Sequence, residues 1–70
     1  MATLQPEVVQ KAQQALAALT LSEKNRAFLE RALQMLENKP IQQIEVYATA
    51  KGGMIVVFYD DGDRREFAAG

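Results

Sequence analysis

Residues 54–59 read Met-Ile-Val-Val-Phe-Tyr and form the one long uninterrupted apolar run in this 70-residue sequence. A Gly-Gly pair precedes the run and Asp-Asp-Gly follows it. β-Branched and aromatic side chains between turn-forming residues are typical of a β-strand. Because every position is apolar, the run predicts a central strand that is paired on both edges and covered on both faces.

The Gly52-Gly53 pair predicts a hairpin before this strand. Two glycines fit a two-residue hairpin loop, since glycine tolerates the positive φ that such a loop requires. With this loop Ala50 pairs with Ile55, and the first strand covers about residues 43–51.

The Asp-Asp-Gly sequence predicts a second hairpin. Residues 60–62 fit a three-residue loop with Gly62 in the left-handed conformation, which pairs Arg65 with Val57. The third strand then covers about residues 64–68, with Ala68 to Gly70 as a frayed end. A shorter loop would place Glu66 in the core, so the three-residue loop is favoured.

Alternation of side chains divides the predicted sheet into two faces. One face is almost wholly apolar and is the predicted core side: Ile44, Val46, Ala48, Ala50, Ile55, Val57, Tyr59 and Phe67. The other face is apolar only along its middle strand: Glu45, Tyr47, Thr49, Lys51, Met54, Val56, Phe58, Arg64 and Glu66.

Two amphipathic helices are predicted before the sheet, over about residues 6–19 and 21–38. A capping box with Thr20 as N-cap and Glu23 three residues later starts the second helix, and Pro40 stops it. The predicted buried stripe of the first helix is Val8, Ala12, Ala15 and Leu19, flanked by Val9 and Leu16. That of the second helix is Phe28, Leu29, Ala32, Leu33, Met35 and Leu36. The sequence therefore predicts a single α+β domain in which a helix hairpin packs on one face of a three-stranded antiparallel β-meander (ααβββ).

Composition narrows the chemistry. The sequence has no cysteine and no histidine, which excludes disulfides, His- or Cys-based catalytic triads and ordinary zinc sites. Clustered carboxylates at Asp60, Asp61, Asp63 and Glu66 are open to a cation-binding interpretation, but a hairpin turn accounts for them better. We expect no enzyme activity, no cofactor, no metal and no small-molecule substrate.

Nucleic acid binding is the alternative function, with Arg64, Arg65 and Lys51 as the candidate contacts. The order of predicted elements is similar to that of small bacterial ribonuclease toxins of the RelE type, although their leading strand is missing and no residue motif matches. The charge disfavours this alternative, because residues 41–70 carry three basic and five acidic side chains. A phosphate-binding surface normally carries a basic stripe.

The second sheet face points instead to protein association. It predicts an interface formed by Tyr47, Met54, Val56, Phe58 and Thr49, used by a homodimer or by another protein. Edge pairing along the first strand is the competing route to a dimer. A further alternative is that the patch is merely exposed, or is covered by the N- or C-terminal residues. We therefore predict a non-catalytic interaction or regulatory module, or else an accessory subunit of a larger assembly. No apolar run approaches the ~20 residues that a transmembrane helix needs, so a cytoplasmic location is expected.

Overall fold

The computed structural model describes residues 6–70, with side chains from residue 7 onward. The three strands form one antiparallel sheet in the order β1-β2-β3. The predicted ααβββ fold is confirmed, with these bounds: α1 Pro6–Ala18, α2 Glu23–Gln34, β1 Ile41–Thr49, β2 Gly52–Tyr59 and β3 Arg64–Ala69.

Both helices lie on the predicted core face of the sheet, α1 against β1 and α2 against β2 and β3. The side chains of Ile55, Val57 and Tyr59 point from β2 into this layer and are at most 1% exposed. The buried cluster consists of Ala12, Leu16, Leu29, Ala32, Leu33, Leu36, Ile41, Ile55, Val57, Tyr59 and Ala69.

The register between β2 and β3 agrees with the prediction. Val57 lies opposite Arg65, and the Tyr59 N–H donates to the Asp63 carbonyl over 2.9 Å. Gly62 has a φ of 92°, the left-handed value that the three-residue loop requires. Strand β3 extends further than expected, however. Ala69 is a buried strand residue rather than part of a frayed end.

The register between β1 and β2 differs from the prediction. Ile55 lies opposite Val46 instead of Ala50, and the hairpin loop consists of residues 50–51. The shift is an even number of residues, so the residues that remain in the two strands keep their predicted faces. Ala50 and Lys51, which were predicted to lie on the core face and on the opposite face, lie in the loop instead.

Close packing explains why glycine stands at position 53 inside a strand. A Cβ there would lie 3.2 Å from Leu29 Cδ1 and 3.3 Å from Leu21 Cδ2. The glycine therefore serves the approach of α2 to the sheet rather than a turn.

A β-bulge lies near the start of β1. Ile41 pairs with Tyr59, whereas Gln43 pairs with Phe58, so Gln42 is the extra residue. The bulge turns Ile41 to the core face, where its side chain is 2% exposed.

Helix α1 buries a slightly different stripe from the predicted one. Ala12 and Leu16 are buried, whereas Ala15, which was assigned to the stripe, is exposed. The Arg26 guanidinium donates to the Leu19 carbonyl over 2.9 Å and so satisfies a main-chain oxygen just beyond the end of α1.

Helix α2 is shorter than predicted at both ends. Its N-cap is Ser22, not Thr20, and the Ser22 hydroxyl accepts a hydrogen bond from the Asn25 N–H over 3.2 Å. The prediction that Phe28 and Met35 are core residues was wrong, since they are 49% and 72% exposed. Leu29 and Leu33, which were also in the predicted stripe, fill the core because α2 presents that side to the sheet.

A charged cluster ties the α2–β1 connection to the β2–β3 turn. The Lys39 ammonium lies 2.9 Å from Asp61 Oδ2, 3.1 Å from Asp63 Oδ2 and 3.3 Å from Glu37 Oε1. It also lies 4.6 Å from the centre of the Tyr59 ring. Two of the four carboxylates considered for cation binding are thus engaged by a lysine.

Candidate functional site: the open face of the sheet

The sheet face opposite the helices carries no described helix, and we call it the open face. The strand registers arrange its side chains in three rows across the sheet. The rows are Tyr47–Met54–Ala68, Glu45–Val56–Glu66 and Gln43–Phe58–Arg64. An apolar column along β2 therefore lies between two outer columns that are largely polar.

Four of the five predicted interface residues meet in this arrangement. Tyr47 is 44% exposed, and Met54 and Phe58 are half-buried. Val56 is only 6% exposed, so the exposed apolar patch is smaller than the sequence suggested. Its neighbours in the register are Glu45 and Glu66 in the middle row and Met54 and Phe58 along β2.

The fifth predicted residue, Thr49, lies apart from this column. It ends β1 opposite Gly52, and its hydroxyl oxygen accepts the Gly52 N–H over 3.2 Å. Its role in the structure is to hold the hairpin loop, and it borders the open face at that end.

The carboxylates of the middle row are paired within their own strands. Glu45 accepts hydrogen bonds from the Tyr47 hydroxyl and, over 2.6 Å, from Gln43 Nε2. Glu66 accepts a charge-assisted hydrogen bond from Arg64. The hydrogen bond to Glu45 raises the pKa of the Tyr47 phenol. Acceptors that already have partners cost less to desolvate when a second surface covers them.

The basic residues named for nucleic acid binding do not form one surface. Arg64 lies on the open face and pairs with Glu66, whereas Arg65 lies on the helix side with its Nη2 atom 2.7 Å from Glu37 Oε2. Lys51 is exposed in the β1–β2 loop, at the far end of the sheet. No common basic stripe arises from these three residues.

A second apolar surface lies between α2 and β3, and we call it the α2–β3 groove. It is a shallow groove of about 280 Å³ whose lining residues are Phe28, Arg31, Ala32, Met35 and Phe67. Sequence reasoning missed this groove because it placed Phe28 and Met35 in the core. The available signal was the width of the apolar stripe, which exceeded what one helix face can bury against a three-stranded sheet.

Within residues 6–70 no three acidic side chains approach one another closely enough to hold a metal ion. In the same part of the chain, no helix is both long and apolar enough to cross a bilayer. Comparisons of the chain with protein-family models, curated proteins and solved structures find no match.

Proposed function

We propose that this protein is a small non-catalytic interaction module that self-associates through the open face of its sheet. The observation that carries the proposal is the helix-free face itself, with an apolar column inside a polar rim. Interfaces have this anatomy, with an apolar centre and a polar border. Tyr47, which lies beside the column in β1 and is 44% exposed, is of a residue type enriched at protein interfaces.

The size of the open face indicates a weak and reversible association. Three strands about 4.8 Å apart and about six residues long give roughly 300 Å² per copy. Stable complexes bury about 800 Å² per partner. We therefore expect a dimer that forms at high protein concentration, as suits a regulatory contact, rather than a permanent one.

The middle-row carboxylates restrict how two copies stack. If the strands of the two copies are aligned, a two-fold axis places Glu45 of one copy against Glu66 or Glu45 of the other. Crossing the sheets at about 90° removes this repulsion and brings Tyr47 opposite Arg64. We therefore propose a crossed arrangement, in which guanidinium–aromatic contacts replace carboxylate pairs.

Sedimentation equilibrium tests the proposal directly. The wild type should dimerise reversibly within a range of protein concentrations that extends to about 500 µM. Phe58→Glu should stay monomeric over the same range, because it places a carboxylate within the apolar column. Gln34→Glu is the matched control, since it adds the same charge on the exposed side of α2 and should behave as the wild type.

Two outcomes would redirect the proposal. A wild type that remains monomeric throughout this range would end the self-association hypothesis. A dimer that survives Phe58→Glu but is broken by Ala48→Pro would move the interface to the outer edge of β1. Ala48 is the suitable position because its N–H points away from β2, as strand alternation from the Asp60–Pro40 hydrogen bond indicates.

Titration with a mixed-sequence oligonucleotide separates this proposal from the nucleic acid alternative. Because Arg64 and Arg65 are already paired with carboxylates, we expect the protein not to bind the oligonucleotide at low salt. Micromolar affinity that falls steeply with added salt would favour the alternative instead.

A further inference from the structure

The α2–β3 groove combines exposed apolar side chains with an unpaired strand edge. Phe28 and Met35 lie on the same flank of α2, about 10 Å apart along the helix axis. Phe67 of β3 forms the opposite wall, and Ala32 leaves room between them. Neither large α2 side chain is needed in the core, which Leu29 and Leu33 already fill.

The edge of β3 beside this groove is free to pair with another strand. The Tyr59 N–H donates to the Asp63 carbonyl, which fixes the alternation of main-chain groups along β3. The N–H and C=O groups of Arg64, Glu66 and Ala68 therefore point outward. β3 is the last strand of the sheet, so no described strand takes these groups.

The groove and this edge run side by side. Arg65 contacts Glu37 just beyond the end of α2, whereas Ala69 and Asn25, near its start, both adjoin Gly52. Helix α2 is thus antiparallel to β3. An extended segment added along β3 would direct every second side chain into the groove.

The charged side chains around the groove indicate what kind of segment it favours. Arg31 lies on the groove between Phe28 and Met35, and Lys24 precedes Phe28 by one helical turn. Neither cation forms an ion pair within the described part of the chain. A second copy in the same groove would bring two Arg31 guanidinium groups to one interface, so the charge favours a different, acidic chain.

We propose that the α2–β3 groove binds an extended acidic and apolar segment of a partner protein, which adds to β3 as a fourth strand. On the helix side the segment presents apolar, acidic and apolar side chains at alternate positions. Residues four apart in a strand are about 13 Å apart, somewhat more than the ~10 Å between Phe28 and Met35 along the helix axis. This surface is separate from the open face.

Fluorescence anisotropy with a defined peptide tests the proposal. The probe is a labelled Ile-Thr-Glu-Thr-Ile segment between Gly-Ser spacers, which presents Ile, Glu and Ile on one side. It should bind the wild type with a Kd below about 1 mM. A matched Ile-Thr-Lys-Thr-Ile probe should bind about three- to tenfold more weakly, and Arg31→Glu should reverse this preference.

Further variants test the apolar lining of the groove and the pairing of the peptide with β3. Phe28→Ser and Met35→Ser should each weaken the acidic probe about tenfold, whereas Gln34→Ser on the outer side of α2 should not change it. Methylation of the two threonine amides should also weaken the probe at least tenfold, because it removes the donors that pair with β3. Circular dichroism checks that each variant is folded.

Several results would overturn the proposal. They are no binding of the acidic probe at 1 mM, equal binding of the N-methylated probe, or an unchanged preference in Arg31→Glu. Binding that is lost in Phe58→Glu but kept in Phe28→Ser would place the peptide on the open face and would also overturn it.

Discussion

Val56 and Val57 are neighbours in β2, and both are buried, but they lie on opposite faces of the sheet. Val57 is enclosed by the helices, as part of a cluster drawn from every helix and strand of the structure. Val56 lies outside that cluster, on the face that carries no described helix. Among the described residues, the same residue type is therefore buried inside the core on one face of the sheet and outside it on the other.

The polar contacts of the two sides differ in the same way. On the helix side they join residues far apart in sequence: Lys39 with Asp61 and Asp63, and Arg65 with Glu37, at separations of 22 to 28 residues. On the open face they join residues two apart in one strand. The polar contacts of the helix side therefore connect distant parts of the fold, whereas those of the open face stay within one strand.

The largest expected effect comes from placing a lysine on each face of β2. Val57→Lys should leave the protein unfolded, because an unpaired ammonium in the apolar cluster costs about 3–5 kcal/mol or more. That cost is comparable with the whole stability of a chain of this length. Val56→Lys should stay folded within about 1 kcal/mol of the wild type, because Glu45 and Glu66 flank the position and can pair with the ammonium.

Circular dichroism and thermal melting of the two variants provide the measurement. If Val57→Lys melts cooperatively near the wild-type temperature, the assignment of the core face is incorrect. Loss of fold in Val56→Lys would mean that the open face contributes to the core as strongly as the covered one.

A smaller contrast is expected between two apolar residues of α2. Leu33→Ala should cost about 2–5 kcal/mol, because it leaves a cavity under the helix. Phe28→Ala should cost less than about 1.5 kcal/mol, because half of that side chain is already in water. Urea unfolding measures both values, and equal losses would contradict the placement of Phe28 at the surface.

The smallest effect concerns pH and the Lys39 cluster. The hydrogen bond from Lys39 lowers the pKa of Asp61 and of Asp63 below the ordinary value of 3.8. Arg65 and Lys39 together lower the pKa of Glu37. A lowered carboxylate pKa stabilises the fold above the unfolded value, and this contribution is lost as the pH falls through the folded value.

Lys39 itself sets the upper end of the pH range in which this cluster stabilises the fold. Its hydrogen bond to Asp61 raises the pKa of the ammonium above its ordinary 10.5, so its stabilisation is lost only as the pH rises beyond that value. Lys39→Met should lower the urea midpoint at pH 7, and this effect should shrink as the pH falls below about 4, where the carboxylates become protonated. Arg64→Met, which breaks only a contact within β3, should give a smaller change at pH 7. A Lys39→Met effect of equal size at pH 3 would show that the loss arises from packing rather than charge.

The parts of the fold that follow local rules could be predicted from the sequence. The Asp-Asp-Gly turn gave the β2–β3 register because Gly62 takes the conformation that its position in the loop requires. The assignment of side chains to faces held for the residues within the strands, since an error of four residues in the β1–β2 register leaves alternation unchanged. Most residues of the open face were therefore identified, but Lys51 lies in the loop, and Gln43 and Ala68 were not assigned to this face.

The parts that depend on packing between distant elements were not predictable in the same way. Gly53 resembles a turn residue, but its small size is needed where Leu21 and Leu29 approach the sheet. The exposure of Phe28 depends on how α2 is rotated on β2 and β3, which the helical repeat alone does not determine. That rotation creates the α2–β3 groove, so the groove emerged only with the structure.

The bulge at Gln42 also affects how far such a sheet can grow. If β1 of one molecule paired with β3 of the next, the contact would repeat from copy to copy and could extend into an open filament. The extra residue bends the start of β1 and interrupts the regular spacing of its outward N–H and C=O groups. A sheet with one regular edge and one interrupted edge is therefore a poor template for an open filament.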